Sequence, residues 1–257
     1  MTSDTPNAPA PPIKRLSLSN DNFIFDDRRR FIFAFVPKVA CTNWKAILRH
    51  MAGHHDYLNN RLAHDRKSSG LHYLDLTGPE SALLDDPKVP RYSFVRDPYA
   101  RALSAYLNKI ESRIPRLGSD DTSDHFLKVT REIDAFRRER LGQDSYPAID
   151  FEVFLLFLTF SGSPFRRDEH WQSQTSLLAW PHVRFDFIGR FENLVADSSE
   201  ILRRMGCDVP FPTQKQVSFP ATGAIDRLTS YLTPACAQLI EQLYPADFDN
   251  FAYQRRH

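Results

Sequence analysis

The sequence predicts an α/β fold, and three observations carry that expectation. An apolar run from Phe31 to Val36 leads through Pro37 and Lys38 into a helix-spaced segment, and a second strand-to-helix unit follows between Arg91 and Ile110. The chain has 257 residues, 42% of them hydrophobic and 12% aromatic, which supports one large core or at most two small ones.

In the first unit, FIFAFV is apolar at every position, as in a strand covered on both faces. Pro37 ends the ladder because it has no N–H to donate. Trp44, Ile47, Leu48 and Met51 then recur at helical spacing, so a helix is expected from Thr42 or Asn43 onward, with those two residues available as caps. The first-turn N–H groups of such a helix form an anion site, to which Lys38 adds a full charge. An ordinary crossover with an exposed lysine fits this stretch equally.

In the second unit, two prolines in PKVP set a loop boundary, Arg91 to Val95 reads as a short strand, and Tyr99 to Ile110 reads as a helix. Leu103, Tyr106, Leu107 and Ile110 fall on one face of it, with Asp97 at the cap position and Pro98 in the first turn. Arg96 therefore stands at a strand end, while Arg101 and Ser104, one helical turn apart, share a face. A guanidinium and a hydroxyl converging there suit a phosphate. A structural Arg-Asp pair with a surface serine is the alternative. If both strands are parallel, Lys38 and Arg96 meet beyond the same sheet edge, where open α/β sheets bind ligands. Two anion sites on one ligand imply a molecule phosphorylated in two places. No G-x-x-x-x-G-K-[ST] loop is present, which weighs against a nucleotide kinase.

The remaining segments bound the answer further. Asp124 to Gly142 reads as a helix with Phe126, Val129, Ile133 and Phe136 in one stripe and a glycine stop. Its Arg137, Arg138 and Arg140 read as a solvated face, or as an acceptor site if the acceptor is acidic. FEVFLLFLTF, Phe151 to Phe160, is expected to be a buried helix, about half the length needed to span a bilayer. The first residues are rich in proline and lack the apolar core of a signal peptide, so 1–20 are expected to be a disordered tail and 21–257 a single domain with no membrane anchor. A net charge of +1 argues against nucleic acid as a partner. Cys41, Cys207 and Cys236 have no CxxC spacing and give neither a disulfide framework nor a zinc site, so a cytoplasmic protein is expected.

Five segments together resemble a known family. PKVACTNWK (37–45) resembles the 5′-phosphosulfate loop of carbohydrate sulfotransferases related to the chondroitin 4-O-sulfotransferases, and RDPYARALS (96–104) resembles their 3′-phosphate element, usually RDPFERLVS. DEHWQSQ (168–174), FDFIGRFENL (185–194) and YPADFDNFAY (244–253) resemble their D-x-H-W, YDFVGKFE and Y-x-x-DF-x-x-FGY segments, in the same order. The resemblance implies a P-loop-like sulfotransferase fold, a central parallel sheet flanked by helices, and 3′-phosphoadenylyl sulfate (PAPS) as donor. Pro37, Lys38, Val39, Ala40, Cys41, Thr42 and Asn43 would then hold the 5′-phosphosulfate, with Lys38 stabilising the leaving phosphate. Arg96 and Ser104 would fix the 3′-phosphate, and no metal is required. The acceptor would be a hydroxyl of a carbohydrate, whose identity, like the oligomeric state, stays open.

A hydroxyl acceptor is helped by a base with a pKa near the working pH, which favours histidine. His170, in DEHW beside two carboxylates, is the first candidate; His72, in GLHYLDL, is the second, in a region where the related heparan 2-O-sulfotransferases carry a histidine base. His170 and Trp171 also read as a packed corner, with Trp171 in the core or as a sugar platform. Lys215 reads as a contact to the adenosine or 3′-phosphate, or as a surface lysine. Where the animal Golgi enzymes have L-C-x-P-C, this chain has LLAWP, with Leu178 and Pro181 in the cysteine positions. The disulfide cannot form, which favours a soluble bacterial relative. A glycan-binding pseudoenzyme would keep the anion sites and lack a working base.

Overall fold

The computed structural model describes residues 22–218 and 222–256. The expected tail at 1–20 lies outside the described residues.

One five-stranded sheet organises the chain, in the order β3-β1-β2-β4-β5, with β1 Phe23–Asp26, β2 Phe31–Ala34, β3 His72–Tyr73, β4 Arg91–Val95 and β5 Phe187–Arg190. The pairings β2–β4 and β4–β5 are parallel, with Phe33 opposite Tyr92 and Ser93 opposite Ile188. β2, β4 and β5 form the parallel part of the sheet that the resemblance implies, and β1 and β3 add an antiparallel part. β1 runs against β2 because only a tight turn, with Arg30 in the left-handed region at φ 53°, joins them. β3 pairs antiparallel to β1 at the sheet edge.

Ten α-helices accompany the sheet among the described residues: α1 Cys41–Met51, α2 Asn60–His64, α3 Pro98–Ala105, α4 His125–Phe136, α5 Phe151–Phe160, α6 Gln174–Leu177, α7 Leu194–Arg204, α8 Ala224–Tyr231, α9 Pro234–Leu243 and α10 Pro245–Asn250. Two apolar clusters result. One wraps the sheet, where Trp44 of α1 stacks on Phe33 at 4.4 Å between ring centroids and meets Phe94 at 5.0 Å. The other is helical and gathers α3, α5, α9 and α10 around Tyr99, Leu103, Phe154, Ile240 and Phe248.

Several boundaries differ from the expected ones. α1 starts at Cys41, and its cap is Ala40 at φ 52° with no side-chain hydrogen bond, so Thr42 and Asn43 lie inside the first turn instead of capping it. Asp97 does cap α3, accepting from the Ala100 N–H at 2.9 Å, with Pro98 in the first turn as expected. The helix then changes pitch, because residues 106–110 form a π turn. α4 is capped by Asp124 and also runs into a π turn, ending at Gly142 with φ 83°. Arg137 is not part of a solvated face. It is buried, donates to Asp134 Oδ1 at 2.6 Å and to the Tyr146 carbonyl at 2.7 Å, while Arg138 and Arg140 are exposed. α5 buries Phe151, Val153, Phe154, Leu155, Phe157 and Leu158, with Glu152, Leu156 and Thr159 half-buried and its last residue, Phe160, exposed. Among the described residues no helix is long and apolar enough to cross a membrane.

Candidate active site

β2 and β4 are adjacent and parallel, so the loops leaving their carboxyl ends meet. Arg96, the residue after β4, donates through Nη1 to the carbonyl of Lys38, beyond β2, at 3.1 Å. Both residues open on a cavity of about 1170 Å³, whose lining also includes Ala40, Cys41, Thr42, Asn43, Ser104 and His170. Most of the expected site residues are therefore brought together. Pro37 and Val39 are buried beneath the loop and contribute backbone: the Pro37 carbonyl accepts from Arg101 Nε at 3.1 Å, and the Val39 N–H returns to the Val36 carbonyl at 3.2 Å.

The loop itself is tightly wound. Lys38 and Ala40 both take positive φ, 69° and 52°, which turns the chain back so that α1 begins at the end of β2. The first N–H groups of α1 consequently face the cavity end of the sheet. Thr42 Oγ1 pairs with His64 Nε2 at 2.9 Å, and Asn43 Nδ2 donates to the Pro212 carbonyl at 2.8 Å.

Lys38, Lys45, Arg96 and Lys109 bring basic side chains into the cavity lining. Burial, reinforced by Lys109, Arg96 and Arg101, pushes the Lys38 ammonium down to about 7, and its Nζ donates to Asn108 Oδ1 at 2.9 Å. Burial brings Arg96 down to about 10; its guanidinium lies 4.2 Å over the Phe191 ring. The Arg96 Nε is buried and meets no acceptor among the described residues. A buried donor of this kind is costly unless a ligand supplies the acceptor. His64 is pushed down to about 4 by burial and then by Lys45 and other cations, so its imidazole is neutral near pH 7.

On the opposite side, His170 Nδ1 meets Asp168 Oδ1 at 2.7 Å, and the other oxygen of Asp168 meets His125 Nε2 at 2.9 Å. Burial alone would raise the Asp168 carboxyl, but hydrogen bonds from both histidines hold it at about 2. Burial lowers His170, against the pull of Asp168. A neutral imidazole beside an ionised carboxylate must carry its proton on Nδ1, which leaves the lone pair on Nε2.

His72 is not brought to the cavity. It sits on β3 at the sheet edge, its side chain 47% exposed, with Nε2 against Glu80 Oε1 at 2.7 Å. Lys215 is exposed and outside the lining, and Trp171 is a core residue, buried to 2% and donating to the Phe165 carbonyl. Arg101 differs from the phosphate fork read on its helix face: it is 2% exposed and donates to the carbonyls of Pro37, Gln172 and Glu169. Lys45, the last residue of PKVACTNWK, also lines the cavity, as do His64, Asn108 and Lys109, which lie outside the five segments.

The sequence segments that share this region are hydrogen-bonded to each other. Gln174 exchanges two bonds with the backbone of Arg96, both at 2.9 Å, and Asp247 accepts from the N–H groups of Gln174 and Thr175. Glu192 accepts from the Asp97 N–H at 2.8 Å and from the Tyr253 hydroxyl at 3.0 Å. Among the described residues no group of three or more His, Cys, Asp or Glu side chains could hold a metal ion.

The model of the sulfotransferase family matches residues 21–254. The chain belongs to this family. As a sulfotransferase it is 33% identical to human carbohydrate sulfotransferase 14 over 239 residues, covering 90% of this chain and 60% of the relative. It is 30% identical to rat carbohydrate sulfotransferase 11 over 263 residues, or 93% of this chain and 70% of the relative. Human carbohydrate sulfotransferase 9 matches at 28% identity over 242 residues, 89% of this chain and 52% of the relative. This sulfotransferase chain thus spans about 60% of the length of carbohydrate sulfotransferase 14. No solved structure matches it.

Proposed function

We propose that this sulfotransferase moves a sulfuryl group from PAPS to a hydroxyl of a carbohydrate acceptor. The observation that carries the reading is the pairing of Lys38 and Arg96 on adjacent parallel strand ends, in one cavity with His170, whose Nδ1 is held by Asp168. A doubly phosphorylated donor suits two cationic positions, and the unpartnered Nε of Arg96 suits an oxyanion. The carbohydrate comes from the names of the relatives.

In the proposed step the acceptor oxygen attacks sulfur in line, and the bond from sulfur to the bridging phosphate oxygen breaks. The hydroxyl proton passes to His170 Nε2, and the electron pair leaves on the phosphate of adenosine 3′,5′-bisphosphate. Lys38 and the first N–H groups of α1 stabilise the charge growing on that phosphate. Arg96 and Ser104 hold the 3′-phosphate. Asp168 keeps His170 in the required tautomer and stabilises the imidazolium that forms.

Calorimetry with adenosine 3′,5′-bisphosphate and with ATP tests the donor, and transfer of labelled sulfate to a glycan panel tests the reaction. Tight binding of ATP alone would sink the proposal. Bisphosphate binding without transfer to any glycan would favour the pseudoenzyme.

A further inference from the structure

The π turn after α3 gives the site a component outside the five segments. In a π turn the hydrogen bonds run from residue i+5 to i, so residues five apart come onto one face. An ordinary helix through Ser104 would align Asn108 with it and carry Lys109 around to another side. With residues 106–110 widened, Ser104, Asn108 and Lys109 all line the cavity. π turns are rare, appear mostly as single turns inside α-helices and recur at functional sites.

The two residues meet both halves of the reacting centre. Asn108 Oδ1 accepts from Lys38 Nζ at 2.9 Å. Lys109 holds its ammonium 4.2 Å over the ring of Phe126, and the same ring packs edge-on against His170 at 5.0 Å between centroids. The charge of Lys109 depresses both Lys38 and His170, and burial in turn depresses Lys109 itself. In an in-line transfer the sulfur lies between leaving and attacking oxygens, hence between the lysine that serves one and the histidine that serves the other. The equatorial oxygens carry charge there.

We propose that the π turn is a built part of the transfer site: Lys109 binds the oxygens of the transferring sulfuryl group, and Asn108 positions Lys38. The inference rests on the sulfotransferase reading above. Donor binding and turnover by the unmodified chain are therefore measured first, with adenosine 3′,5′-bisphosphate and PAPS. If the bisphosphate does not bind, the donor reading fails and takes this inference with it.

If it binds, Lys109→Met is expected to lower kcat about 100-fold. Bisphosphate affinity should stay within about twofold, because that ligand has no sulfuryl group, and Lys109→Arg should recover about tenfold of the rate. Asn108→Leu should lower kcat about tenfold and move the alkaline limb of kcat/KM to lower pH, since the acceptor that favours charged Lys38 is gone. Two results overturn the proposal: Lys109→Met working at the unmodified rate, or Lys109→Met losing melting temperature, bisphosphate binding and rate together while Asn108→Leu leaves the pH profile unmoved.

Discussion

Replacing Arg101 with methionine tests how the two sides of the site are held in register. Its guanidinium is 2% exposed and faces three backbone carbonyls: Pro37 at 3.1 Å, Gln172 at 2.7 Å and Glu169 at 3.2 Å. Hydrogen bonds from a charged donor contribute about 1.5–3 kcal/mol each, or roughly 4.5–9 kcal/mol for three if they were additive. Methionine also relieves a buried charge whose desolvation costs several kcal/mol, so the net loss should be about 3 kcal/mol. That is a large share of the roughly 5–15 kcal/mol that holds a domain folded. Urea unfolding should show a lower midpoint at an unchanged m-value. Because one carbonyl belongs to the Lys38 loop and two to the His170 segment, kcat should fall more than bisphosphate affinity; a misplacement of about 1 Å costs on the order of 100-fold. Arg101→Lys should recover only part, since an ammonium cannot span three acceptors. A loss below about 1 kcal/mol with kcat unchanged would refute the reasoning.

Three further outcomes are expected. Lys38 sits at about 7 against an ordinary value of 10.5, and a bound phosphosulfate favours its charged form. At pH 8 bisphosphate binding should therefore take up close to one proton and at pH 6 almost none, read by calorimetry in two buffers of different ionisation enthalpy; a buffer-independent enthalpy at pH 8 would rule this out. The same depression means that the unfolded chain binds the extra proton between pH 7 and 10.5, so the contribution of Lys38 to stability rises with pH across that window. His170→Ala should cost about 100- to 10,000-fold in kcat while the bisphosphate still binds, and His72→Ala should stay within about twofold. The reverse ranking would move the base to His72.

Much of this scaffold was legible because its signals are local. The strand Arg91–Val95, the Asp97 cap, Pro98 in the first turn and the Gly142 stop each depend on residues within one turn of themselves. Ala40 carries no such signal, since nothing in a methyl side chain announces the positive φ that starts α1. The π turn was hidden for another reason: over a single turn, Tyr106, Leu107 and Ile110 bury equally well at either pitch. Arg101 reads the same in sequence whether it reaches a phosphate or a carbonyl. Which it meets is decided by Pro37 and Glu169, far away in the chain. The bond between Thr42 and His64 likewise depends on where α2 lands.

The seam between the two apolar clusters explains why those long-range contacts matter for chemistry. The Lys38 loop belongs to the sheet cluster through Val36, Val39 and Trp44, whereas the segment of His170 belongs to the helical cluster through Trp171. Neither core by itself fixes the distance from Lys38 to His170. One change of cluster falls between Val95 and Tyr99, and the contacts made from that stretch are polar: Arg96 on Lys38 and Gln174, Asp97 on Glu192, and Arg101 on Pro37, Glu169 and Gln172, while Tyr253 packs against both clusters. Apolar packing tolerates small slides, but hydrogen bonds weaken steeply once their geometry is lost. The relative placement of the Lys38 loop and His170 is therefore set by the RDPYAR stretch itself, whose Arg96 and Arg101 reach both segments.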